Sequence, residues 1–247
     1  MLYNPVLAGL TLRQALAKRR WMIVLLLAAL PVIMATLISI YGTVDDEPLQ
    51  IVAIPIMTLI YTVIVPVIAL VLAASSFGAE IEDGTAIYLL AKPISRAEIV
   101  ITKLVITALI CVTLSAVSML GAGMSLVRGL DPTGLVLGLT VGAALGAFLY
   151  SVLFLALGLV TKRGMLFGLT YLIVWEGALG SFFQGTRVLS VRQYMLAVAD
   201  AITTVKPDIF VALLPAKTAY VMSTVVAVGV VMLCIRKLRR FEIGQAA

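Results

Sequence analysis

Residues that could carry chemistry are sparse in this sequence. It contains no histidine, and its two cysteines, Cys111 and Cys234, each lie in an apolar stretch, where a thiol behaves as a small hydrophobic side chain. A zinc, haem or copper site built from this chain is therefore not expected. The phosphate-binding signature GxxxxGK[ST] is absent as well. We expect the chain to bind no cofactor and to hydrolyse no ATP by itself.

One acidic residue, Glu176, lies inside a long apolar stretch, directly after Trp175. Burial of a charged carboxylate is costly, so this group is expected to be protonated, paired or facing water. No second acid and no nucleophile–base pair occurs at the same depth, and catalysis by the chain itself is not expected. The role of Glu176 depends on the elements that surround it.

The composition indicates a membrane protein. Of the 247 residues, 62% are hydrophobic and 12% are charged, whereas soluble domains are about half apolar and a quarter charged. The net charge of +6 could suggest nucleic-acid binding. The basic residues, however, cluster at the ends of apolar stretches, as topology signals do. We expect the lipid bilayer as a partner and no nucleic acid.

Six apolar stretches are long enough, or nearly so, to cross a bilayer as helices. They cover residues 21–40, 51–78, 104–127, 133–160, 164–183 and 218–235. The second contains Pro55 and Pro66, which predict kinks or tilt. The sequence thus predicts an all-α polytopic membrane protein with six transmembrane helices, folded as one domain over residues 1–247.

The distribution of basic residues predicts the orientation. If the N-terminus is cytoplasmic, five of the 18 Lys and Arg residues lie outside, and the remaining 13 lie inside. The five outer residues are Arg128, Arg187, Arg192, Lys206 and Lys217. This asymmetry predicts that both termini are cytoplasmic.

Two loops are predicted to contain helices of their own. In the inner loop, a short apolar helix follows Gly84 and ends at Pro93, and Ser95 with Glu98 forms a capping box that starts the next helix. In the outer loop, Ser190 with Gln193 forms a second capping box. An apolar stripe follows it, comprising Val191, Tyr194, Met195, Val198, Ile202 and Val205. We expect this outer helix to lie in the interface or to dip partly into the membrane.

Two further patterns concern the N-terminus and the fourth span. Thr11 with Gln14 predicts a third capping box, which would open a basic helix on the inner membrane surface. Glycines recur every four residues along the fourth span, at Gly134, Gly138, Gly142 and Gly146. Such a stripe lets another helix approach closely. Packing within the subunit is favoured, and a dimer contact is the alternative.

The inner loop resembles that of ABC-2 type transporter permeases. The matching residues are Glu80, Glu82, Gly84, Thr85, Leu89, Leu90, Pro93, Ser95, Arg96 and Lys103. The outer half is similar to a subgroup of these permeases, through Trp175, Glu176, Gly185, Arg187, Ser190 and Tyr194. Together with the six spans, the resemblance extends over nearly the whole chain.

The resemblance implies a permease that forms a dimer. Its implied partners are a second copy of the chain and two cytosolic ABC ATPase subunits, which bind ATP and Mg. The short inner helix would be the coupling helix, seated in a groove of the ATPase. The residues implied in ATPase coupling are Glu80, Glu82, Gly84, Thr85, Ile87, Leu89, Leu90, Pro93 and Arg96. A hydrophobic anchor with a charged rim agrees with this role. The alternative is a loop that rests on the lipid headgroups.

The resemblance also implies an exporter in a prokaryotic plasma membrane, and the few polar groups in the spans favour an amphiphilic, lipid-like or drug-like substrate. For Glu176 and Trp175, the interpretations are a translocation path or subunit interface, or for Glu176 a structural hydrogen bond to Ser, Thr or Tyr. Two other functions stay open. One is an ion-coupled secondary transporter or channel, and the other is a membrane scaffold that recruits a soluble partner.

Overall fold

The computed structural model describes residues 5–16, 19–41, 49–82, 95–127, 134–161, 163–179, 188–204 and 212–239. The helices, in chain order, are α1 (Pro5–Leu16), α2 (Arg19–Tyr41), α3 (residues 49–82), α4 (Arg96–Leu126), α5 (Leu135–Val160), α6 (residues 164–179), α7 (Val191–Ile202) and α8 (Ala216–Arg239). Two of them are composite. In α3, the π-helical segments Ile60–Ile64 and Leu70–Ala74 separate Leu49–Leu59, Val65–Ala69 and Ser75–Glu82, and α6 joins Gly164–Thr170 to the π-helical Tyr171–Leu179.

In the described part of the chain, five helical stretches are long and apolar enough to cross a membrane. They are Trp21–Tyr41, Ile54–Gly78, Arg96–Leu126, Leu135–Val160 and Ala216–Arg239. They correspond to predicted spans one to four and six. The predicted fifth span corresponds to α6, whose apolar stretch Gly164–Gly177 is shorter, and residues 180–183 lie outside the described residues. The all-helical, multi-pass architecture is confirmed, and the crossing of the membrane by α6 stays a prediction.

The second span contains wide helical turns at the place where a proline was predicted to disturb it. The π-helical segment Ile60–Ile64 ends directly before Val65, whose N–H donates to the carbonyl of Ile60. Pro66 follows, and a proline ring clashes with the carbonyl four residues earlier in a regular α-helix. A π turn is a common way to absorb such a mismatch. The chain therefore stays helical through Pro66.

Helix α5 begins directly after a glycine in a left-handed conformation. Gly134 is the residue that precedes the helix, and it adopts a left-handed conformation with φ of 68°. Only glycine takes this conformation without steric cost. The described helix therefore begins at Leu135, within the predicted span 133–160, and Gly134 is its N-cap residue. A methyl group on Gly134 would lie 3.7 Å from the carbonyl oxygen of Ile202, so this glycine also faces α7, at ordinary contact distance.

Helix α5 is the centre of the fold. It packs against α3, α4, α6, α7 and α8, and residues along its length, such as Ala143, Ala147 and Phe154, are fully buried. By contrast, α2 packs mainly on α4 and leaves large apolar side chains exposed, including Met22 and Leu26. This exposed face suits contact with lipid or with another subunit.

The N-terminal helix begins earlier than the predicted capping box. Thr11 lies in the middle of α1, is buried, and donates its hydroxyl to the carbonyl of Leu7 at 2.9 Å. The prediction that Thr11 caps the helix was wrong. A threonine inside a helix commonly bonds to the carbonyl four residues before it, and Pro5 occupies the first described helical position instead.

Candidate functional site

The inner site is built around the two helices that lead into and out of the inner loop. Helix α3 ends at Glu82, and α4 begins after Ser95, whose side chain accepts a hydrogen bond from the Glu98 N–H at 3.2 Å. The prediction that Ser95 caps this helix is confirmed. The predicted coupling residues Gly84, Thr85, Ile87, Leu89, Leu90 and Pro93 lie outside the described residues.

An ion pair between a buried lysine and a partly buried glutamate joins the two helices at the base of this loop. The Nζ atom of Lys103 lies 2.6 Å from Oε2 of Glu80, and the two side chains are 1% and 13% exposed. Lys103 also donates to the carbonyl of Ser76 at 2.5 Å and lies over the ring of Phe77, 4.4 Å from its centre. The lysine therefore has a carboxylate, a carbonyl and an aromatic face as partners, which a buried ammonium group requires.

The N-terminal helix contacts the same ion pair. Gln14 of α1 donates from Nε2 to Oε1 of Glu80 at 3.2 Å. Oε1 of Glu80 thus binds Gln14 of α1, while Oε2 binds Lys103 of α4. A single carboxylate on α3 thus contacts both α1 and α4 directly before the inner loop.

The outer site is built around Glu176, which is 5% exposed. Its Oε2 atom accepts from the Ser190 hydroxyl at 2.6 Å, and its Oε1 atom accepts from the Val191 N–H at 2.9 Å and from the Tyr171 hydroxyl at 3.4 Å. Because Val191 is the first residue of α7, the carboxylate lies at the N-terminus of that helix. The positive end of the helix dipole favours a negative charge there.

The neighbours of Glu176 fix the same helix terminus. Ser190 is the N-cap residue, as predicted, and accepts from the Gln193 N–H at 3.4 Å. The return bond of the predicted capping box is not formed, because Oε1 of Gln193 has no hydrogen-bond partner. Trp175 donates from Nε1 to the carbonyl of Leu189 at 3.4 Å. Tyr194 donates to the carbonyl of Val188. Burial raises the pKa of Tyr194, and the negative charge of Glu176 raises it further, so its hydroxyl stays protonated and keeps donating.

The surroundings of Glu176 correspond to the structural interpretation in part. Its partners include the Ser190 and Tyr171 hydroxyls, as a structural hydrogen bond would require. Whether Glu176 and Trp175 also line a translocation path or a subunit interface stays a prediction. Gly185 and Arg187, which belong to the resemblance in this region, lie outside the described residues.

The glycine face of α5 receives the outer helix α7. A methyl group on Gly138 would lie 2.7 Å from the carbonyl oxygen of Ala199, and one on Gly142 would lie 2.5 Å from that of Met195. At Gly146 it would collide with the Met195 side chain. Helix α7 thus buries Val191, Tyr194, Met195 and Val198 of its predicted stripe against this face, and Val205 lies outside the described residues.

Sequence reasoning missed two contacts. It used Lys103 as a topology signal and as a resemblance residue, but it did not pair Lys103 with Glu80. A signal for this pair was present, because Glu80 lies at the inner end of one predicted span and Lys103 at the inner start of the next, on either side of the same loop. It also missed the contact of Tyr171 with Glu176, although residues five apart can meet across a widened π-helical turn.

The chain belongs to the ABC-2 family of transporter proteins. The model described as ABC-2 family transporter protein matches residues 16–175, which include the inner loop and both partners of its ion pair. A comparison of the chain with curated proteins found no match. Membership of this family, together with the apolar helices, makes the chain a multi-pass transmembrane subunit of an ABC transporter. A subunit of this kind is a transport component that is not itself catalytic, and membership of the family implies association with an ABC ATPase subunit.

Proposed function

We propose that this chain is the permease of an ATP-driven exporter. Two copies would form the pathway and bind two cytosolic ATPase subunits, which hold ATP and Mg, in a prokaryotic plasma membrane with both termini of each permease inside. The single observation that carries this proposal is the family match over residues 16–175. The excess of basic residues on the predicted inner side supports the orientation.

In this proposal the short helix between Gly84 and Pro93 binds the ATPase, and the Glu80–Lys103 pair transmits its movement. The ion pair lies at the base of the loop and joins α3 to α4, while Gln14 adds α1. When nucleotide binding brings the ATPase subunits together, the loop moves, and three helices follow it as one unit. The pathway then opens to the outside.

The substrate we propose is an amphiphile, lipid-like or drug-like. Polar side chains are few in the membrane-crossing helices, and several hydroxyl groups there bond to carbonyls of their own helix, such as those of Thr140 and Ser151. A pathway lined by such helices offers apolar contact and few hydrogen bonds. A strongly hydrophilic solute would lose its hydration without replacement.

Co-purification tests the proposed coupling helix. A tagged permease is expressed with its candidate ATPase, and native protein is compared with the Leu89→Asp/Leu90→Asp variant. Two buried carboxylates in a hydrophobic anchor should abolish capture of the ATPase. The matched control is Leu189→Asp/Leu213→Asp, which places two charges at exposed leucines on the predicted outer side. If the control loses the ATPase equally, or if the inner variant retains it, the coupling assignment is wrong.

A further inference from the structure

A cavity of about 390 Å³ opens between the ends of α5 and α8. Its wall is almost entirely apolar, with Leu153 and Val160 of α5 on one side, Val230 of α8 on the other, and the ring of Tyr171 from α6 between them. Lys237 is the charged residue of the wall. The volume lies within the range of about 300–1,000 Å³ that is typical of small-molecule sites.

The cavity lies at the depth of the inner leaflet. Val160 is the last residue of α5, and Lys237 lies in the last turn of α8. The orientation predicted from the basic residues places both ends at the cytoplasmic surface. From Lys237 back to Val230 the axis of α8 rises by about 10 Å. One leaflet contributes about 15 Å of hydrocarbon. The cavity therefore reaches through most of the inner leaflet.

The open edge of the cavity carries exposed apolar side chains. Val160 and Leu233, which lie on that edge, are 58% and 62% exposed. A lipid chain can therefore enter sideways from the bilayer. A cavity of about 390 Å³ holds less than one turn of a second protein helix, which with its side chains is about 10–12 Å wide. The shape suits a slender, flexible apolar chain.

The charge at the mouth of the cavity selects the headgroup. Lys237 shares the last turn of α8 with Arg236, and Arg163 is exposed just beyond the end of α5. Basic side chains at the membrane surface attract anionic lipids. We propose that this cavity binds one acyl chain of an anionic phospholipid from the inner leaflet, with the phosphate at Lys237. The site is independent of the ATPase and requires only that the ends of α5 and α8 lie inside.

Lipid binding to the purified full-length chain tests this site. Native mass spectrometry of delipidated protein compares palmitoyl-oleoyl phosphatidylglycerol with the phosphatidylcholine of identical chains. Native protein should bind phosphatidylglycerol more tightly, and Lys237→Gln should weaken that binding about five-fold. The matched control Arg239→Gln removes the same charge from the same turn, at an exposed residue outside the cavity wall. It should leave the preference unchanged.

A second pair of variants tests the chain-binding part. Ala156 lines the cavity, so Ala156→Trp should fill it and lower the binding of both lipids by at least about five-fold. Phe148→Trp, at a partly exposed position elsewhere on α5, should not. The proposal is overturned if Lys237→Gln and Arg239→Gln act equally, since that result indicates general surface attraction, or if a folded Ala156→Trp variant binds both lipids normally. Lys237 is exposed, so its variant remains informative if Ala156→Trp does not fold.

Discussion

At the scale of single residues, two carboxylates, those of Glu80 and Glu176, bind different kinds of partner. Glu80 meets a lysine and a glutamine from two other helices, so it joins elements that are far apart in sequence. Glu176 meets a serine hydroxyl and a backbone N–H at one helix terminus. An opposite charge stabilises the Glu80 carboxylate, whereas a helix dipole and hydrogen-bond donors stabilise that of Glu176.

Lys103→Met should strongly destabilise the protein. The substitution leaves the Glu80 carboxylate without its cation, and breaking a buried pair costs about 3–5 kcal/mol. The double variant Lys103→Met/Glu80→Gln should recover part of this loss, because no unpaired charge remains. Thermal unfolding of the purified proteins in detergent measures both effects. Lys217→Met, at an exposed lysine, is the control and should stay within about 0.5 kcal/mol of native. Equal unfolding temperatures for Lys103→Met and native protein would contradict a stabilising pair.

Glu176→Leu should destabilise more than Glu176→Gln. Leucine leaves the Ser190 hydroxyl and the Val191 N–H without an acceptor, whereas glutamine retains one carbonyl oxygen. Each lost hydrogen bond to a charged group is worth about 1.5–3 kcal/mol. Thermal unfolding and proteolysis of the loop before α7 measure the effect. A Glu176→Leu variant that is as stable as native protein but inactive in transport would argue against the capping role and for the predicted translocation path.

At the scale of elements, the glycine face of α5 determines how closely α7 can pack. Gly138, Gly142 and Gly146 lie on three successive turns and meet the backbone or the side chain of Met195 and its neighbours in α7. Close backbone approach of this kind is the usual purpose of small residues spaced by four in membrane helices. The outer helix therefore rests on the central span, and the carboxylate of Glu176 holds its beginning.

Gly142→Ala should lower stability by about 1–3 kcal/mol, because the added methyl group lies 2.5 Å from both the Met195 carbonyl and the Tyr61 hydroxyl. Gly229→Ala in α8 is the matched control, since a methyl group there meets nothing within 4 Å. Alanine also favours helix over glycine, so the control should be neutral or up to about 1 kcal/mol more stable. Thermal unfolding of both variants measures the difference in stability. If Gly142→Ala matches the control, α7 does not lie on the glycine face.

Local signals in the sequence placed the elements, but they could not place the contacts between them. Ser95 and Ser190 were predicted correctly as caps, because a capping box depends only on neighbours in the chain. The same pattern at Thr11 failed, since a threonine inside a helix can satisfy its hydroxyl on its own turn. The glycine stripe predicted a close helix without identifying α7. The Glu80–Lys103 pair arises only when α3 packs beside α4.

At the scale of the whole molecule, the crossing of the membrane by α6 determines the topology. Its described part has seven α-helical and nine π-helical residues, which would rise by at most about 24 Å, against about 30 Å of hydrocarbon. If α6 crosses, its two ends lie on opposite sides. The number of spans is then six, and both termini lie inside as the basic residues predict.

Cysteine labelling tests this topology. The native thiols of Cys111 and Cys234 are buried, so background reaction should be low. Leu213→Cys follows α7 and should react with a membrane-impermeant maleimide in intact cells. Arg163→Cys precedes α6 and should react only after the membrane is opened. Both positions are exposed. Labelling of the two variants from the same side would show that α6 does not cross.

The central claim is that this permease couples to an ATPase through its inner loop, and ATP hydrolysis in lipid tests that claim most directly. The permease and its candidate ATPase are reconstituted together into liposomes, and the hydrolysis rate is compared with that of the ATPase alone, with and without amphiphilic compounds. We predict that native permease changes the rate, that at least one amphiphile stimulates it further, and that Leu89→Asp/Leu90→Asp abolishes both effects. A hydrolysis rate that is the same with native permease, with the variant and with no permease would show that the permease does not couple to this ATPase through its inner loop.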